Sequence, residues 1–359
     1  MNKSGYTLPP EWARQSGVQL TWPHAATDWA DYLADICDTY VEMARAIASH
    51  EQLLVVAPEP EAVADRLRRE LEADAFQRVL FHQCDTNDTW ARDHAFITLV
   101  ANGDGERGAD GDAPRLLDFR FNGWGEKFEA DKDNRINRSL MGSGMLNGQY
   151  VDCLDFVLEG GSIESDGEGT VFTTSQCLLA PHRNQPLDKN AIEQRLRQTL
   201  GAKRVVWLDH GNLMGDDTDG HIDTTVRTAP ENTLIYVGCD DENDPQYDDF
   251  KQLQRQLESL RTFSGQPYRL LRLPMPDPMV DEQGERLPAT YANFLVTNEA
   301  VLVPIYNQPV KDNEALRTVA EAFKDRRMIA IDSRTIVRQH GSIHCCTMQY
   351  PEGILRNAR

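Results

Sequence analysis

The 359-residue sequence has no apolar run approaching the roughly 18 residues that cross a bilayer. An integral helical membrane protein is excluded, and no membrane partner is expected. Positive charge is also in short supply. Lys and Arg number 37 against 57 Asp and Glu, a formal net charge of −20. Such a surface repels polyanions, so no nucleic-acid partner is expected, and it favours cationic ligands. Much of the acidic excess serves solubility. Cysteine is sparse, with seven residues and no CxxC pair, so the usual spacing of a structural zinc site is missing. The opening stretch MNKSGYTLPPEWARQSGVQLTWPH lacks the charged-then-apolar order of a secretory signal. Reduced thiols and a cytoplasmic location are the expectation. No linker rich in Pro, Gly and Ser divides the chain, so residues 1–359 are read as one domain.

What is present is an order of elements that repeats. Trp29, Tyr32, Leu33, Ile36, Tyr40, Val41, Ala44 and Ile47 recur at three- and four-residue spacing, which predicts a helix over 27–49 behind a Thr27 cap. The strand QLLVVA, a helix at 60–74 and the strand RVLFH follow. From there the pattern is two strands joined by a turn, a helix, then one strand. AFITLV, a Gly/Asp-rich turn at 102–113, RLLDFRF, a helix near 135–146 and CLDFVLE form one such unit. GSIES, TVFTTS, a helix at 189–200 and RVVWL form the next. IDTTVRTA, TLIYVG, a helix at 246–262 and YRLLRL come third, then YANFLVT, VLVPIY, a helix at 312–324 and MIAID. SIHCCTM reads as a last strand with no helix after it. Residues 27–56 supply the missing parts, so the termini would complete a fifth unit and close a ring without open sheet edges.

The polar residues most awkward for a core sit at one place in each unit, where the hairpin begins. They are Asp93, Glu159, His221, Asn293 and Cys345, separated by 66, 62, 72 and 52 residues. Singly, Asp93 reads as a capping carboxylate beside Arg92, Glu159 as a strand end, and His221 as a satisfied histidine. A radial arrangement would instead bring all five to one axis, and carboxylates, a histidine and a thiol in one cavity are the parts of a nucleophilic site.

Metal readings fail on spacing. Aligning Asp217, Asp219 and Gly220 with a twelve-residue calcium loop puts Gly215 and Val226 at two essential ligand positions. His340, His344, Cys345 and Cys346 offer donors for zinc but no second spaced pair, so no metal is expected. In an extended strand Cys345 and Cys346 point to opposite faces, and only one can line a central cavity.

The motifs WPH (22–24), NDTWARD (87–93), FNGWGEKF (121–128), EGGSIE (159–164), GDDTDGHID (215–223), YANF (291–294) and GSIHC (341–345) together resemble the agmatine deiminase and bacterial peptidylarginine deiminase family of guanidine-modifying enzymes. The resemblance spans nearly the whole chain. It implies an α/β fold, the five-bladed propeller of ββαβ units called the pentein fold. It further implies Cys345 as nucleophile, His221 as general acid and base, Asp93 and Asp223 as guanidinium-binding carboxylates, and Glu159 as support for the histidine or the substrate. Trp90, Asp88, Asp217 and Asn293 are the expected substrate-binding residues. No cofactor is implied. The implied substrate is a small cationic guanidine, agmatine first, with free arginine, peptidylarginine or another guanidine as alternatives and a homo-oligomer left open. Amidino transfer and a non-catalytic cation-binding propeller are the competing readings. Two departures stand out. His340-Gly341-Ser342 replaces a glycine-rich run, and His94-Ala95 replaces the usual Gly-Pro, which puts substrate identity in doubt.

Overall fold

The computed structural model describes residues 5–101 and 113–356. All but one residue of the expected turn at 102–113 therefore lies outside the described part. Five separate mixed sheets carry the fold, and none closes on itself among the described residues. In each, a hairpin strand runs antiparallel to a central strand, which pairs in parallel with a third strand reached through a helix. Val226–Ala229, Thr233–Gly238 and Arg269–Pro274 show the pattern, as do Leu295–Val296, Ala300–Ile305 and Arg327–Asp332. A parallel neighbour requires a crossover connection, and each unit's helix supplies it.

The central strands are the most apolar parts of the chain for this reason. Thr233–Gly238 is buried along its whole length, as expected of a strand covered on both faces. Its crossover helix Tyr247–Ser259 buries Phe250, Leu253 and Leu257, a stripe at helical spacing. Among the described residues, no helix is long and apolar enough to cross a membrane.

The termini share one sheet. Thr347–Pro351 pairs antiparallel with Gln15–Thr21, which pairs in parallel with Gln52–Ala57, and Val79–Gln83 adds a fourth strand. The strand Gln15–Thr21 was not anticipated, because QSGVQLT alternates poorly and yet is almost wholly buried. The first long helix starts later than its periodicity suggests, at Leu33. Thr27 closes a turn on the His24 carbonyl instead (2.7 Å), and the Trp29 indole is held by Asp88 and Thr89. The stretch 60–74 splits into Pro60–Glu70 and Ala73–Phe76.

SIHCCTM is not a strand. Ile343 to Cys346 form tight turns, with the Cys346 N–H on the Ile343 carbonyl (3.2 Å) and the Thr347 N–H on that of His344 (3.0 Å), and the strand begins only at Thr347. Comparable turns precede the other hairpins at Ala91–His94, Gly160–Ser162 and Ile222–Thr224. The extended-strand argument about the two thiols therefore does not apply, although a turn also separates neighbouring side chains.

The buried N-terminal strand gives a direct test. A Cβ on Gly17 would lie 2.2 Å from the Gln52 carbonyl oxygen, whereas one on Gly5 would meet nothing within 4 Å. Gly17→Val should cost at least about 1–3 kcal/mol and Gly5→Val no more than about 0.5 kcal/mol, read from urea-denaturation midpoints.

Candidate functional site

The turns at the hairpin starts bring their polar side chains together. Asp93, Glu159, His221, Asp223 and Cys345 are all 5% exposed or less, too little for chance surface placement. The Asp93 carboxylate accepts the Gly161 N–H and the Trp124 indole N–H, each at 3.0 Å. Its Oδ1 stands 3.7 Å from His221 Nδ1. Asp223 Oδ2 lies 3.9 Å from the Cys345 thiol, which points to it as donor. Gly161 is required by this crowding. A Cβ there would fall 2.6 Å from His221 Nδ1, 3.0 Å from Asp93 and 3.1 Å from Asp223.

Three buried carboxylates so close together set the electrostatics. Burial, with the charges of Asp223 and Glu159, raises Asp93, and the His221 imidazole only partly offsets this. Burial would depress His221, but the Asp93 carboxylate, then Cys177 by its charge and its hydrogen bond, and last Glu159 override it and hold the imidazole well above its ordinary value. Burial would also raise Asp223. Its hydrogen bond to His344, with the charges of His344, His221 and Arg227, outweighs that and keeps it low. Burial and the two aspartates push the Cys345 thiol well above 9. The site thus sets a histidine held toward its charged form beside a thiol held toward its neutral one, with Asp93 and Asp223 next to both. A small planar cation placed between the carboxylates would relieve them and lower the thiol at once.

A narrow cleft opens onto Cys345, walled by Trp90 and Trp124 and bordered by Asp28, Asp88, Asp217 and His340. Trp90 and Trp124 meet edge to face at 6.3 Å between centroids. Burial lifts Asp88 to about 6, and burial together with Asp216 lifts Asp217 to about 6. A larger cleft, about 610 Å³, is lined by Glu11, Arg92, Glu164 and Met348 and includes neither Cys345 nor Trp90.

Asn293, expected to bind substrate, is a backbone clamp. Its Oδ1 accepts the Cys345 N–H (3.2 Å) and its Nδ2 donates to the Asp223 carbonyl (3.4 Å). Cys346 packs in the core beside Ile336 and Ile343, where burial pushes its thiol up to about 12. The two departures also find places. His340 takes a left-handed backbone (φ 63°), and its Nδ1 contacts the Gly215 carbonyl at 2.6 Å, tying the acidic loop over the cleft. Gly341 passes Trp90 so closely that a Cβ would come within 2.1 Å of its ring. His94 is not a cleft residue. Buried against Thr21 (3.2 Å), it is pushed down to about 3 by burial and stays neutral.

Several contributors were missed by sequence reasoning. Buried Arg183 bonds Glu159 Oε1, Asp219 Oδ2 and the Thr218 carbonyl, each at 2.7 Å, and so fixes Glu159 and the loop before His221. Trp124 lay within a quoted motif but was given no role. The polar run HRNQ at 182–185, just after the apolar stretch CLLAP, was the available signal for Arg183.

Iodoacetamide alkylation of Cys345 should stay slow through pH 8 without ligand and accelerate at pH 8 when guanidinium ion is added. A maximal rate already at pH 7 in the empty protein would contradict the electrostatic account.

The profile of the Porphyromonas-type peptidyl-arginine deiminase family matches residues 7–351. A Vibrio parahaemolyticus protein named "Putative agmatine deiminase" is 33% identical, across 97% of this chain and 98% of its own length. The solved structure called "Putative Arginine Deiminase" from Porphyromonas gingivalis is 46% identical, with a TM-score of 0.90 over 98% of this chain and all of its own. A cysteine-to-serine variant of the C. jejuni agmatine deiminase, solved with substrate bound, is 35% identical with a TM-score of 0.86, over 98% of this chain and 97% of its own.

Proposed function

Because the chain belongs to the Porphyromonas-type peptidyl-arginine deiminase family, matched over residues 7–351, we propose that it hydrolyses agmatine to N-carbamoylputrescine and ammonia, as a single catalytic domain. In this reading the five sheets are the blades of a pentein propeller whose hairpin turns converge on the axis. Asp93 and Asp223 hold the planar guanidinium through paired N–H donors and present its central carbon to Cys345. The cation's charge lowers the thiol, which releases its proton to solvent as the substrate binds, and the thiolate attacks, forming a C–S bond while the carbon's π-electron pair moves onto nitrogen to give a neutral tetrahedral adduct. Cationic His221 protonates the departing nitrogen, ammonia leaves, and a thiouronium remains. His221, now neutral, takes a proton from water as it attacks the same carbon. The C–S bond breaks, releasing the ureido product. Glu159, anchored by Arg183, supports the imidazole. The seven free thiols suit a reducing cytoplasm.

The composition of the cleft carries the choice of substrate. Asp28, Asp88 and Asp217 border it, and among the described residues neither Arg nor Lys lines it, so the distal ammonium of agmatine finds charged partners while an arginine carboxylate finds no guanidinium or ammonium. Other basic residues that could serve an arginine carboxylate are engaged elsewhere or lie at another cleft. Arg14 pairs with Glu352, Arg92 with Glu11, and Arg120 borders a separate surface cleft. Lys127 is bound to the Asp217 carbonyl (2.6 Å) and to Asp219 (2.8 Å).

Purified protein given agmatine, free arginine and an arginine peptide should release ammonia and a ureido product chiefly from agmatine. Preferred turnover of arginine or the peptide would overturn the substrate reading, and no turnover of any guanidine would overturn the enzyme reading. Asp88 and Asp217 are carboxylates above about pH 6 and neutral below it. KM for agmatine should therefore rise as pH falls through 6, and Asp217→Asn should raise KM about tenfold at pH 7.5, the loss of one exposed-to-buried charge contact of about 1.4 kcal/mol.

A further inference from the structure

On the far side of Asp223 from Cys345 lies a buried ionic network that the proposed chemistry does not use. His344 is fully buried and is contacted at both ring nitrogens. Its Nδ1 stands 2.7 Å from Asp223 Oδ2 and its Nε2 2.7 Å from Glu11 Oε1. An ionised carboxylate only accepts, so an imidazole between two of them satisfies both by donating from both nitrogens, which makes it an imidazolium. Arg227 Nη2 also comes within 3.0 Å of Nε2, but that guanidinium has other acceptors. It bonds Glu11 Oε2 and Glu164 Oε1, and the carbonyls of Ala292 and Phe294. Arg92 donates to Glu11 Oε1 (3.0 Å) and, at 3.4 Å, to the His344 carbonyl. Glu11, Glu164 and Asp223 are thereby matched by Arg92, Arg227 and His344, and the balance holds only with the histidine charged.

Glu11 is held near this histidine by the N-terminal segment just before the strand Gln15–Thr21, more than three hundred residues away in sequence. Its carboxylate is well below the ordinary range. Burial would raise it, but the charges of His344, Arg227 and Arg92 prevail.

We propose that Glu11 and His344 are positioning residues, Glu11 keeping His344 an imidazolium and His344 holding Asp223 as a carboxylate aimed at the substrate's guanidinium. The role rests on the deiminase reading, with Asp223 as a substrate ligand. Its logic is electrostatic. Asp223 shares a dry site with Asp93 and Glu159, and the repulsion would protonate one of them unless a fixed cation stands behind it. Without the Glu11 charge, His344 Nε2 is free to accept from Arg227 instead. The imidazole turns neutral, and Asp223 loses its cationic partner.

The test uses the full chain and Glu11→Gln, Glu11→Asp and His344→Asn. Glu11→Gln should raise KM for agmatine about tenfold with a smaller change in kcat, as the guanidinium loses an oriented, charge-assisted contact to Asp223. Glu11→Asp should recover most of the effect. In 15N-histidine-labelled protein, the His344 signal, assigned by its absence in His344→Asn, should show both ring nitrogens protonated at pH 7.5 in the wild type and one in Glu11→Gln. That spectrum is read without turnover, so an inactive wild type would overturn the deiminase reading while leaving the ionic pair testable. A neutral His344 in the wild type, or a Glu11→Gln variant that loses kcat with KM unmoved and no rescue by Glu11→Asp, would overturn the positioning role.

Discussion

Three carboxylates held out of water within reach of one another are the constraint on which the rest of the structure depends. Burying even one unpaired charge costs several kcal/mol, and Asp93, Asp223 and Glu159 are each 3% exposed or less. Each has been given a separate remedy. Arg183 neutralises Glu159 from the side of the acidic loop. His344, backed by Glu11 and Arg227, sits behind Asp223. Asp93 receives only an indole N–H, a backbone N–H and a histidine 3.7 Å away, and burial leaves its pKa raised. The least supported of the charges therefore lies at the face turned toward Cys345, where a guanidinium would add a direct partner.

The same imbalance accounts for the thiol. A buried cysteine next to two carboxylates is a poor nucleophile, because burial and every neighbouring negative charge favour the neutral S–H. In the proposed mechanism, chemistry at Cys345 waits for a cation, and the group to be attacked also activates its attacker. Such coupling keeps the free enzyme unreactive toward neutral electrophiles, and it uses substrate binding to prepare the reaction.

The repeat was legible because central strands buried on both faces leave a continuous apolar signal and crossover helices leave a three- and four-residue one. That is how five hairpin starts, and the five polar residues at them, could be aligned without identity between units. Gln15–Thr21 was missed because a strand inserted between two neighbours, with Gln15 and Gln19 buried by side-chain hydrogen bonds to Glu51 and Tyr350, carries no apolar alternation. Cys345 and Cys346 were assigned to a strand as the last member of the repeat, yet the backbone turns there, with the Arg92 N–H capping the Cys345 carbonyl (3.1 Å). Asn293 shared its position in the repeat with the reactive groups but was built as a clamp. Arg183, His344 and Glu11 were not assigned roles at all. Their contribution lies in pairing across 24, 121 and 333 residues, which spacing along one chain does not reveal.

The central claim is that the carboxylate-bound guanidinium is attacked by Cys345 and by no other thiol. Mixing the protein with agmatine, quenching with acid on the timescale of a turnover and mapping the peptides by mass spectrometry tests it most directly. The account predicts a transient adduct on the peptide containing Cys345, with the mass of agmatine less ammonia and with fragmentation placing it on that residue and not on Cys346. Steady production of ammonia with Cys345 never modified, or with the adduct on Cys346 or Cys177, would contradict it.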